Sequence, residues 1–74
     1  MRVKVSGLSE ARKLADACSH CDCEIDAVTG SRSCDAKSVL GIMSLDLMSE
    51  IELKFRCEET AIAHYVEIVE QYLN

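Results

Sequence analysis

The chain has 74 residues, 49% of them hydrophobic and 28% charged, with no proline, no tryptophan and a formal charge of −5. That length allows one domain, residues 1–74, with a small core, and the balance of apolar and charged residues is that of a folded chain. An excess of 13 acidic over 8 basic residues argues against a nucleic-acid binder, and no apolar run approaches the ~18 residues of a membrane span.

Arg2 to Ser6 alternate strictly, with Val3 and Val5 apolar and Arg2, Lys4 and Ser6 polar. Period two with β-branched residues predicts a strand with one wet face, broken at Ser6-Gly7. The period then changes. Ala11, Leu14, Ala15 and Cys18 fall at i, i+3, i+4 and i+7, the spacing of one helical face. Ser9 is the expected N-cap, and Glu10 suits the positive end of the helix. The polar stretch Cys18-Ser-His-Cys-Asp-Cys23 reads as the exit loop.

A second alternation sets Cys23, Ile25 and Ala27 against Glu24 and Asp26. Thr29-Gly30-Ser31 signals a tight turn, Gly30 supplying a positive φ, and Arg32 to Asp35 form the returning strand. The apolar stretch from Ser38 to Leu47 predicts a short helix starting at Ser38, followed by a loop. Ile42, Leu45 and Leu47 belong to the core. From Glu50 to Cys57 the alternation is cleanest, with Ile51, Leu53, Phe55 and Cys57 opposed by Glu52, Lys54 and Arg56. The last helix, about Glu58 to Leu73, carries the stripe Ile62, Tyr65, Val66, Val69, Tyr72 and Leu73. The order β-α-β-β-α-β-α, with single-faced strands and single-striped helices, predicts an α+β open-faced sandwich. A four-stranded antiparallel sheet carries the helices on one face.

Within this pattern, Cys23 to Leu47 resembles HPr, the phosphocarrier of the bacterial sugar phosphotransferase system. The resemblance is carried by Ala36-Lys37-Ser38-Val39-Leu40 followed by Leu45-Asp46-Leu47, which is similar to the family's Ala-Lys-Ser segment, short helix and exit. It implies a regulatory phosphorylation site at Ser38, although any helix start favours such a residue as a plain N-cap hydroxyl. It also implies partner binding through Val39, Leu40 and Met43, of which Leu40 and Met43 have a core reading as well.

The family's active histidine, followed closely by arginine and proline, stands just before the first helix. Counting back without gaps from the hairpin puts Gly7 at the histidine, Ser9 at the arginine and Glu10 at the proline; a small gap puts Ser9 at the histidine and Arg12 near the arginine. Neither alignment supplies an imidazole. Phosphoryl carriage needs a nitrogen nucleophile titrating near neutral pH, whereas serine gives a stable ester. His20 and His64 lie beyond the first helix and within the last. The expectation is therefore a family member that acts as a protein-binding or regulatory module without histidine phosphotransfer. Its partners would be phosphotransferase-system components or an HPr serine kinase, and no cofactor is called for. Arg12, Lys13 and Lys37 are the basic groups expected near the docking site.

The five cysteines allow a second reading. Cys18, His20, Cys21 and Cys23 contain a C-x-x-C beside a histidine, the residue types of a metal or thiol redox site. Periodicity instead turns Cys18, Cys23, Cys34 and Cys57 inward as small hydrophobes and leaves Cys21 in the loop as the candidate reactive thiol. An odd cysteine count, with no signal-peptide apolar region after Met1, points to reduced thiols in a cytoplasm.

Overall fold

The computed structural model describes residues 1–74. Its elements are β1 (Arg2–Val3), α1 (Leu8–Ser19), β2 (Glu24–Thr29), β3 (Arg32–Asp35), α2 (Val39–Met43), β4 (Ile51–Arg56) and α3 (Glu59–Leu73). They form the expected α+β open-faced sandwich. All pairings are antiparallel and the strand order is β1-β4-β2-β3. The strand with the cleanest alternation, β4, thus lies inside the sheet, where one face is covered and the other wet.

Period two sends Ile25, Ala27, Ile51 and Leu53 inward, each at most 2% exposed, while Glu24, Glu52, Lys54 and Arg56 stay exposed on the open face. There the Arg56 guanidinium pairs with the Asp26 carboxylate across the ladder. The β2–β3 hairpin turns at Gly30, whose φ of 56° is the left-handed conformation that favours glycine. Helix α1 buries Ala11, Leu14, Ala15, Ala17 and Cys18. Val69 is the fully buried residue of α3, and α1 packs against both α2 and α3.

Several boundaries differ from the sequence expectation, each for a physical reason. The first strand stops at Val3 rather than Ser6: Val3 pairs with Ile51, the first residue of β4, so Lys4 onward has no ladder partner. Helix α1 starts at Leu8, with Gly7 as N-cap instead of Ser9. The Glu10 carboxylate reaches back to accept the Ser6 N–H at 2.9 Å, which anchors the first turn without a capping hydroxyl. At its other end the helix continues to Ser19, because the fully buried Cys18 extends the apolar stripe.

Among the residues assigned to the core, Ile42 and Leu45 are buried, whereas Leu47 is half-buried and packs on its edge. Tyr72 leaves the core stripe of α3. It is 46% exposed, its ring stacked on His20 at 3.7 Å between centroids and 6° between planes.

Candidate functional site

The start of α1 holds Gly7, Ser9, Glu10 and Arg12, the positions at which the resemblance implies an active loop. Gly7 has an extended backbone, φ 177° and ψ −170°, and caps α1 without a side-chain hydrogen bond. Its carbonyl accepts the Ala11 N–H at 3.0 Å. A Cβ at position 7 would meet nothing within 4 Å, so the place before the helix is open. Ser9, Glu10 and Arg12 are exposed on the first turns. The Glu10 carboxylate already lies at the positive end of α1, accepting from Ser6. A shallow groove of about 390 Å³ adjoins Glu10 and is lined also by Val3, Lys4, Val5, Lys13, Leu14 and Leu73. It contains no imidazole.

Helix α2 is the second part of the site. Ser38, in extended conformation, is its N-cap, and the Ser38 Oγ accepts the Gly41 N–H at 3.1 Å. The N-cap reading of this serine is met by that hydrogen bond. Just before it, the Asp35 carboxylate accepts the Lys37 N–H at 2.9 Å, which fixes the turn from β3. The five-residue helix is anchored by Ile42, which is fully buried.

With Ile42 inward, Leu40 points outward and is 83% exposed, Met43 is 37% exposed, and Val39 is half-buried against the core. Leu40 and Met43 therefore take the surface reading rather than the core one. Two exposed apolar residues had no place in the sequence reading, Met48 at 88% and Leu8 at 47%. Leu8 sits three residues before Ala11, but as the first residue of α1 it stays largely in solvent. Met48 follows α2 in a loop, where no periodicity marks it.

Lys37, expected among the steering cations, is turned inward, its Nζ donating to the Cys21 carbonyl at 2.8 Å. Arg12 and Lys13 are exposed on α1.

The cysteine reading changes most. Cys18 and Cys21 are buried, at 0% and 2% exposure, and the Cys21 thiol faces the Tyr65 carbonyl at 3.8 Å. Burial pushes the Cys21 thiol up, so its expected role as the reactive loop thiol is corrected. Burial, and secondarily the Cys21 thiol, push Cys18 up to about 12. His20 stacks on Tyr72 instead of turning toward the thiols. Accordingly no group of three or more His, Cys, Asp or Glu side chains is placed to hold a metal ion, and the proposed ligand set Cys18, His20, Cys21 and Cys23 does not converge. His64 is exposed on α3.

No helix is long and apolar enough to cross a membrane. In comparison with known proteins, no curated protein matches the chain. A family model described as "PTS HPr component phosphorylation site" matches residues 8–74, from the first residue of α1 to the end of α3. The match spans every element but β1, including the capped α2 and the segment around Ser38, and by it the chain belongs to the HPr family of the phosphotransferase system.

Proposed function

We propose that this HPr-family chain, acting as one domain over residues 1–74, is a protein-binding or regulatory module that does not carry phosphate on histidine. The observation supporting this reading is a contrast between two neighbouring parts of the molecule. Helix α2 keeps an outward apolar surface on a rigid anchor, with Leu40 exposed above a buried Ile42. The open position before α1 holds Gly7, and the carboxylate of Glu10 occupies the helix start where an incoming phosphoryl group would sit. Two anions at one helix end repel each other, which weakens any phosphate site there.

Val39, Leu40 and Met43 make the docking contact, with Met43 supplying an adaptable thioether. The partners are other proteins, of which phosphotransferase-system components are the first to test. NMR titration of the labelled protein with Enzyme I checks the surface directly. Shifts concentrated on Val39, Leu40 and Met43, and lost in Leu40→Asp, support it. Shifts on the open face at Glu52, Lys54 and Arg56 would refute it.

Control at Ser38 is a second part of the proposal. Its hydroxyl stands at the start of α2, where a phosphate of about −2 charge would lie against unsatisfied backbone N–H groups and change the charge beside Leu40. Incubation with an HPr serine kinase and ATP is expected to add one phosphate to Ser38; an unmodified serine would rule this control out.

A further inference from the structure

Strands β2 and β4 pair with Glu24 opposite Arg56 and Ile25 opposite Phe55. Continued one residue beyond the ladder, that register brings Cys23 opposite Cys57. Period two puts both on the covered face, in line with Ile25 and Phe55. Residues directly opposite in an antiparallel pair have Cα atoms about 4.5–5.5 Å apart, within the about 4.4–6.8 Å that a disulfide spans. Because both lie just past the last ladder pair, local backbone adjustment disturbs no sheet hydrogen bond between paired residues.

We propose that Cys23 and Cys57 form a reversible cross-strand disulfide, a modification site at the open end of the β2–β4 ladder. All five cysteines are free thiols in this structure. Cys23 and Cys57 are half-buried, within reach of a small oxidant, whereas Cys18 and Cys21 are sealed in the core. Cys34 lies on the edge strand β3 opposite Ala27, on the far side of β2 from β4. Burial, then the neighbouring Cys57 thiol, push Cys23 up to about 11, so Cys23 rests as a thiol until oxidised.

The oxidant is a low-molecular-weight disulfide, RSSR. One protein thiolate attacks it, breaking the S–S bond and releasing RS⁻, and the other thiolate then attacks the mixed disulfide and releases the second RS⁻. The protein gives up two electrons and two protons, and RSSR leaves as two RSH. The bridge closes a loop that contains the β2–β3 hairpin and α2, so the oxidised form braces the segment that presents Leu40.

The test treats the full-length reduced protein with oxidised glutathione. Free thiols titrated after denaturation should fall from five to three and return with dithiothreitol. Proteolysis before Asp22 separates Cys23 from Cys18 and Cys21, and mass spectrometry should then find Cys23 joined to Cys57. Cys34→Ser should still form the bridge and Cys57→Ser should not. Five persistent thiols, a bridge between any other pair, or stable glutathione adducts without ring closure would each overturn the proposal. Because the mapping is done on the unaltered chain, it decides the matter even if Cys57→Ser fails to fold.

Discussion

Replacing Ser38 by alanine separates the structural work of this residue from any regulatory one. The substitution removes the Oγ that accepts the Gly41 N–H at 3.1 Å and leaves that donor without its partner. Loss of an N-cap acceptor costs about 1 kcal/mol. Helix α2 has only five residues, but it does not melt by itself, since unwinding it uncovers the fully buried Ile42 at a cost of about 1.5–3 kcal/mol. The cap loss therefore shows in the global transition. For a domain of this size, about 1 kcal/mol corresponds to a fall of about 4–8 °C in Tm. Ser38→Asp keeps an acceptor oxygen at the same place and should stay close to the parent protein. Thermal unfolding followed by circular dichroism reads both variants. An unchanged Tm in Ser38→Ala, or an equal fall in Ser38→Asp, would refute the capping argument.

Three more outcomes follow from the same geometry. A Cβ on Gly41 would lie 3.0 Å from the Cys34 Cβ and 3.3 Å from its Sγ, and the Cβ cannot rotate away because β3 holds it. The overpacking, about 1–3 kcal/mol, outweighs the helix-propensity gain of about 1 kcal/mol; Gly41→Ala should lower the urea midpoint, and a rise would contradict the close approach. Burial raises the Cys18 thiol from 9.0 to about 12, so the folded state holds this proton more tightly than the unfolded chain. That contribution to stability is fully present below about pH 9 and drains away as the pH climbs toward 12. Urea titrations at rising pH should show this alkaline loss reduced in Cys18→Ala, and an equal loss in both would refute it. Gly7→His places its side chain in open space on an extended backbone. Chemical denaturation should find it within about 0.5 kcal/mol of the parent, the usual range for surface changes, and a larger loss would mean that position 7 is not open.

The parts of the fold legible in the sequence were those governed by local periodicity. Alternation of Ile51, Leu53 and Phe55 with Glu52, Lys54 and Arg56 defines β4, and Thr29-Gly30-Ser31 marks the hairpin. What escaped depends on partners distant in the chain. The length of β1 is decided by where β4 begins, and Tyr72 is drawn outward by a ring contributed by His20. Cys21 looked exposed because it follows a helix in a polar stretch, yet α3 covers it through Tyr65. The candidate site divides in the same way. The cap at Ser38 was readable from the start of the apolar stretch, and the outward place of Leu40 was implied by the resemblance, whereas the position of Cys23 opposite Cys57 emerges only from the β2–β4 register.

The central claim, family membership without histidine phosphotransfer, is tested most directly by incubating the purified protein with phosphoenolpyruvate and Enzyme I. The account predicts no acid-labile phosphate on the chain, because Gly7 stands before α1 while His20 is stacked on Tyr72 and His64 lies exposed on α3. Acid-labile phosphate on any residue would contradict it.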